Sequence, residues 1–174
     1  MGKYAKGFVI AQLVRFLKVF PNNDPLMGFV LPAAKNEKWW KAPLFAFSAI
    51  IIFDLLTSFG VWSIVTAATY ALVAVGARFF LKNKKSSLFI YAKTSVLGIL
   101  AFDFVTGPLM STFLFQQNFF VTMLLQIPFT AMHVISGTIL AAIIVPFYDP
   151  VVALEAKAFI VAVKKAVFSW VPQY

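Results

Sequence analysis

The stretch FVTGPLMSTFLFQQNFFVTMLLQIPFTAMHVISGTILAAIIVPFY, residues 104–148, lies between Asp103 and Asp149 and carries no formal charge unless His133 is protonated. A helical crossing of a bilayer takes about 20 residues, so this stretch is long enough for two, joined at the uncharged turn Gln116-Gln117-Asn118. The remaining chain agrees. Of 174 residues, 61% are hydrophobic and only 12% charged, where a soluble domain is nearer half apolar and a quarter charged. A core of this length cannot hide that excess, because small folds bury too little of their surface. The chain is therefore expected to be an all-α integral membrane protein.

Proline, glycine and charge divide the chain further. An apolar run from about Tyr4 to Phe20 has no convincing small-residue cleavage site, so it reads as a retained first helix. It stops at Pro21-Asn22-Asn23-Asp24-Pro25. A second segment, Leu26 to Ala34, is too short to span and is expected to be a short tilted helix or a re-entrant element. Further helices are expected over Ala42–Thr57, Val61–Leu81, Ser86–Phe115 with a kink or break at Gly107-Pro108, and Phe119–Phe147 with Pro128 inside it. These make a six-helix membrane domain over residues 1–148. Residues 149–174 form an amphipathic surface helix and tail, with Leu154, Phe159, Val163, Val167 and Trp170 recurring near helical spacing.

The formal net charge of +9 would hint at nucleic acid on a soluble domain. Here the basic residues gather at span ends: Lys3 and Lys6, then Lys35, Lys38 and Lys41, then Arg78, Lys82, Lys84 and Lys85. That is a topology signal, and it places both termini on the cytoplasmic side of a cell membrane, with no nucleic-acid partner. Trp39, Trp40 and Trp170 fit interfacial anchors on that side. Arg15 and Lys18 fall toward the outer end of the first helix and either snorkel outward or serve a site.

With this orientation, polar groups from several segments converge on one outward mouth above an apolar floor: Arg15, Asn22, Asn23, Asp24, Asp54, Thr57, Trp62, Asp103 and Thr106. A few placed polar groups in apolar walls are the profile of a small-molecule pocket. Asp54 and Asp103 stand in similar settings, each followed three residues later by a threonine. Taking a carboxylate into hydrocarbon costs a few kcal/mol or more, so such acids face a bundle interior or a wet cavity. Each has a plainer reading. Asp54 would cap the turn into the next helix, Asp24 would make an Asx turn, and Asp103 would form a buried ion pair with Arg15. His133 reads first as a helix–helix hydrogen-bond partner. Lys93 can snorkel back to the inner interface.

Enzyme chemistry is not expected. There is no serine–histidine arrangement with a glycine elbow, no HExxH and no phosphate-cradling glycine loop. The glycine-flanked aspartate of intramembrane aspartyl proteases is missing too. One histidine and no cysteine argue against a transition-metal site, and no cofactor is expected.

Four segments, in order, resemble the S components of energy-coupling factor (ECF) transporters. Pro21-Asn22-Asn23-Asp24-Pro25-Leu26-Met27 is similar to a Pro-Asn-x-Glu-Pro-x-Met element of one branch, with aspartate in place of glutamate. Asp54-Leu55-Leu56, Gly60-Val61-Trp62-Ser63 and Tyr70-Ala71-Leu72-Val73 resemble its Asp-Leu-Leu, Gly-x-Trp-Thr and Tyr-x-Leu-Val pattern. Phe102-Asp103 matches an aromatic-Asp pair, and Ile127-Pro128-Phe129-Thr130 with His133 lies near a Pro-Phe element. The resemblance implies capture of a small water-soluble vitamin at the outer face and delivery through a membrane scaffold (T component) driven by two ATPases. It also implies a small-residue contact with that scaffold on the first helix, here Gly7 and Ala11, although the family usually carries alanine at both places. The N-terminal histidine of its metal-ion members is absent from Met1-Gly2-Lys3, so nickel or cobalt is not expected as cargo. Two other classes stay open: an assembly subunit whose aspartates serve only helix packing, and a stand-alone transporter coupled to protons through Asp54 or Asp103.

Overall fold

The computed structural model describes residues 2–17 and 24–168, with side chains to residue 165. Asn22, Asn23, Lys18 and Trp170 lie outside the described residues. Every described regular element is helical: α1 (Lys3–Leu17), α2 (Leu26–Asn36), α3 (Lys41–Thr57), α4 (Val61–Leu81), α5 (Leu88–Phe104), α6 (Met110–Phe115), α7 (Phe119–Ile144) and α8 (Pro150–Phe168). A π turn, Val105–Leu109, joins α5 to α6, and a 3-10 turn, Val145–Phe147, ends α7. Three rods are long and apolar enough to cross a membrane: Val61–Leu81, Leu88–Phe115 and Phe119–Phe147. At 15 and 17 residues, α1 and α3 are shorter, about 22 and 25 Å. Large apolar side chains cover the outside, among them Leu72, Phe79, Phe113, Phe120, Leu125 and Phe147. That surface is compatible with a membrane-embedded protein.

The second segment becomes the centre of the bundle. Every residue of α2 from Leu26 to Ala34 is buried, and the helix packs against α3, α4, α5 and α7. Eleven residues reach only about 16 Å, so α2 starts near mid-bundle and ends among the basic loops. Its neighbours make room with glycine. A Cβ at Gly98 would lie 2.9 Å from Met27, and one at Gly137 would meet Ile99 at 2.7 Å and the Asp24 carbonyl at 3.7 Å. On α2 itself, a Cβ at Gly28 would stand 2.6 Å from that of Ile144. Such contacts let helix backbones approach closely.

The loop end rich in lysine, called here the basic end, is closed by those cations. Arg78 of α4 donates to the carbonyls of Ala34 and Glu37 at 3.0 and 2.8 Å, and Lys35 of α2 donates to those of Leu81 and Lys84. Each helix thus lends a cation to the other's last turn, where the carbonyls lack helical donors and the dipole is negative. Lys3 does the same for Tyr148 at 3.1 Å. Asp149, buried just before α8, accepts from Tyr91 and Ser86 at 2.7 Å each and from Asn36 at 3.4 Å, and its other oxygen accepts from Val151 N–H. One carboxylate therefore ties α2, α5 and α8 together. Beyond the first turns of α8, the side chains from Lys157 to Lys165 are all exposed.

One expectation changes. Gly7 and Ala11, expected to face a scaffold subunit, are buried inside this chain. A Cβ at Gly7 would fall 2.5 Å from the Tyr148 hydroxyl and 2.9 Å from Phe29. The small pair is spent on packing α1, and its outward face is Val9, Ile10, Leu13 and Leu17. The kink or break expected at Gly107-Pro108 takes the form of a widened turn. Pro108 has no N–H to offer, and the ladder takes up one extra residue and continues.

Gly28→Ala should lower the thermal midpoint in detergent by an amount equivalent to about 1–3 kcal/mol, since the new methyl overpacks against Ile144. Gly76→Ala, whose Cβ meets nothing within 4 Å, should leave it unchanged or slightly higher. Asp149 yields a pH dependence. Burial pushes its carboxyl up, but the hydrogen bonds from Tyr91, Ser86 and Asn36 outweigh that and hold it below the usual carboxylate value. Its stabilisation is thus fully present above about pH 4, the unfolded value, and is lost as pH falls through the lowered native one. The midpoint difference between wild type and Asp149→Asn should be flat at neutral pH and shrink on acidification below about pH 4.

Candidate functional site

The burial of Asp103 sets the problem at this site. It sits in the last turn of α5, 1% exposed, where an isolated carboxylate would cost several kcal/mol. The partner is His133 of α7, whose Nδ1 lies 2.8 Å from Asp103 Oδ1. Facing a carboxylate, Nδ1 carries the proton and donates. The other ring nitrogen, Nε2, stands 3.5 Å from Asp24 Oδ2. Asp24, just before α2, accepts from the Leu26 N–H at 2.9 Å through Oδ1 and from the Tyr70 hydroxyl of α4 at 2.8 Å through Oδ2.

Four elements thus supply one chain of polar contacts, Tyr70–Asp24–His133–Asp103. The short α2 makes this possible, because it sets Asp24 near the mid-depth of its neighbours. Aromatic rings wall the cluster: Phe102 packs on Tyr70 and on His133, with centroids 5.0 and 6.0 Å away, and Phe129 lies 6.1 Å from the imidazole. Two buried polar atoms, Asp103 Oδ2 and His133 Nε2, have no hydrogen-bond partner among the described residues. Asp24 is the more accessible of the cluster's two acids, with 15% of its side chain exposed.

A polar stripe leads to the cluster. Thr122, Gln126, Thr130 and His133 follow one another along α7 at spacings of four, four and three residues, which puts them on one face. The first three are half-buried, Gln126 donates to Thr130 at 3.3 Å, and Gln126 lies against Gly107 of the π turn. The stripe runs from the end of the bundle that carries Gln116-Gln117-Asn118, the neutral end, down to the imidazole. The π turn begins two residues after Asp103, and Thr106 within it donates to the Phe102 carbonyl at 2.9 Å.

Of the expected site residues, Asp24 and Asp103 come together, and Arg15 stands near enough for its charge to act on Asp24. Arg15 does not pair with Asp103. It donates to the Ala49 carbonyl at 3.1 Å, beside Gln12 at 3.0 Å, and lies 4.0 Å over the Phe53 ring. Asp54 takes no part in the cluster. It is half-buried near the end of α3, and the start of α4 is closed by Ser63, whose hydroxyl accepts the Gly60 N–H at 3.2 Å. Thr57 is exposed and donates to its own helix at Phe53, and Trp62 is exposed on the first turn of α4. Asn22 and Asn23 lie outside the described residues. Sequence reasoning missed Tyr70 and Gln12 and gave His133 only a packing role. A glutamine inside an apolar helix was the available signal for Gln12. Among the described residues no three acidic, histidine or cysteine side chains are placed to hold one metal ion.

Comparison with protein-family models, with curated proteins and with solved structures finds no match for this chain. The site stands on its own geometry.

A double-mutant cycle tests the grouping. Asp103→Asn and His133→Gln should be coupled by about 1–2 kcal/mol in thermal or denaturant unfolding, as contacting residues of one network are. The cycle pairing Asp54→Asn with His133→Gln should give no coupling beyond error.

Proposed function

We propose that this chain is the solute-capture (S) subunit of an ECF-type importer, with the Asp24–His133–Asp103 cluster as the floor of its binding site. The observation that carries the reading is the polar stripe of α7 descending from the neutral end to two buried polar atoms that still have hydrogen-bonding capacity. Buried unsatisfied groups are few in folded proteins and call for an explanation. A bound solute with matching donors and acceptors supplies one. In this reading the basic end is cytoplasmic by the positive-inside rule, both termini are inside the cell membrane, and solute enters from the neutral end.

The roles follow from the contacts. Asp24, the more exposed of the two cluster acids, meets the solute first, held in place by Tyr70 and the start of α2. His133 and Asp103 form the deeper wall, and Phe102 and Phe129 offer faces on which a ring can stack. A small water-soluble vitamin or related micronutrient with a heterocyclic part fits that mixture. No segment of this sequence is built to hydrolyse ATP, so inward delivery falls to a scaffold subunit and ATPases. The buried Gly7 and Ala11 leave the large apolar residues on the outer face of α1 as the surface such a scaffold would meet.

The same cluster gives one specific reason for a second reading. An imidazole held between two carboxylates is a proton-binding arrangement, as seen in relays of intramembrane acids and histidines. A stand-alone proton-coupled transporter would use it directly.

Thermal-shift screening of the purified chain against water-soluble vitamins and nucleobases separates the two. The capture reading expects one compound to stabilise the protein without ATP. Asp103→Asn and His133→Gln should each weaken its binding at least tenfold, while Thr57→Ala leaves it unchanged. The reading fails if no compound binds the wild type, or if the bound compound is indifferent to both cluster variants. Uptake by this chain alone in vesicles, driven by a pH gradient, would establish the second reading in its place.

A further inference from the structure

On the side of the bundle between α4 and α5 lies a groove of about 440 Å³, open to the exterior. Its walls are apolar, and small residues hollow it out: Gly76 and Ala77 on α4, Gly98 and Ala101 on α5. Phe80 forms its end toward the basic loops, and Thr69 and Val105 line it at the other. The eleven helical steps from Thr69 to Phe80 span about 16 Å, close to half of a hydrocarbon core about 30 Å thick. The groove therefore begins at the basic end and runs one leaflet deep.

Charge is placed at one end only. The Lys84 ammonium stands 6.0 Å from the centroid of Phe80, at the groove's basic end. Lys93 is exposed on α5, one turn before the groove residue Leu97 and on the same helix face. It lies about 8 Å along α5 from Leu88, at headgroup depth for a snorkelling lysine. Lys82 and Lys85 are exposed in the same connection. Two other cations nearby, Lys35 and Arg78, are already engaged with helix carbonyls. The lysines at the groove are those left over once the helix ends are closed.

We propose that this groove binds one anionic phospholipid, its tail lying along Gly76 and Gly98 and its phosphate between Lys84 and Lys93. An apolar channel one leaflet deep, with lysines only at its headgroup end, is complementary to such a molecule in both length and charge. A transmembrane helix of another protein would match the apolar wall but would leave the lysines unanswered. The site shares no residue with the Asp24–His133–Asp103 cluster and does not rest on the capture reading.

The test uses the full chain purified in detergent and titrated with phosphatidylglycerol or phosphatidylcholine, with bound lipid read by native mass spectrometry. Wild type should retain phosphatidylglycerol at least tenfold more tightly than phosphatidylcholine. Lys84→Gln and Lys93→Gln, both at exposed positions, should each cost about fivefold in phosphatidylglycerol affinity, and the pair should remove the preference. Gly76→Phe projects into the groove where a Cβ meets nothing, so it should abolish retention of lipid without lowering the thermal midpoint. Equal retention of the two lipids by wild type would overturn the proposal. So would unchanged preference in both lysine variants, or a photo-crosslinker at Leu97 capturing a protein helix instead of lipid in native membranes.

Discussion

A helix of eleven residues cannot cross a bilayer, and much of this molecule follows from where α2 has to end. Its first turn, set at mid-depth among apolar helices, must find partners within the protein, because an apolar interior offers none. At the basic end Arg78 answers the last carbonyls of α2, and Glu37 N–H bonds back to Ala33. At the other end the chain enters at mid-depth, and Asp24 bonds the first free N–H, that of Leu26. That carboxylate then needs partners of its own, which Tyr70 and His133 provide. A packing requirement on a short helix thus brings charge to the centre of an apolar bundle.

The rest of the cluster is a consequence of making that charge tolerable. An acid on α2 alone would be an expensive defect. Paired through an imidazole with a second acid on α5, it becomes a network whose members fix one another's orientation. The geometry also brings two close contacts to the start of α2, since Gly137 admits the Asp24 backbone beside His133 and Gly98 admits Met27. The register of α2 against α5 and α7 is thereby set by polar contacts as well as by packing. Such specification is a recognised use of buried polar groups where apolar faces alone would permit sliding.

Much of the helix layout was legible in the residue order, and for a definite reason. Charges, prolines and glycines are rare here, so each one that occurs punctuates. Val61–Leu81 is bounded as expected by Gly60 and Lys82, and Phe119 follows Asn118, whose side chain bonds the N–H groups of Phe120 and Val121. What could not be read was pairing across distance. Asp54 and Asp103 are similar as local strings, yet one ends a helix at the half-buried edge and the other lies beside a histidine thirty residues on. Local anomaly marked both; only packing separates them. Gly7 and Ala11 illustrate the same limit, because a small-residue pair says that something comes close without saying whether it is the chain's own Phe29 and Tyr148 or another subunit.

The chemistry of the cluster bears on what a solute there would have to bring. Two carboxylates and one imidazole sum to a net negative centre whichever way the imidazole's second proton goes, and Tyr70 already donates to Asp24. A ligand carrying only acceptors would meet Asp103 Oδ2 as a second acceptor, with nothing to offset the lost hydration. One that presents an N–H or a cationic ring nitrogen toward Asp103, and toward His133 Nε2 a donor when the ring is neutral or an acceptor when it carries both protons, would satisfy both buried atoms at once. Selectivity would then come from the unpaired groups themselves, since a molecule lacking either function leaves a buried polar atom uncompensated, the kind of mismatch that discriminates most strongly. The site is sensitive to that second proton: a neutral imidazole that keeps its Nδ1 proton still donates to Asp103, but it no longer offsets the charge of the two carboxylates, and the bundle bears that cost.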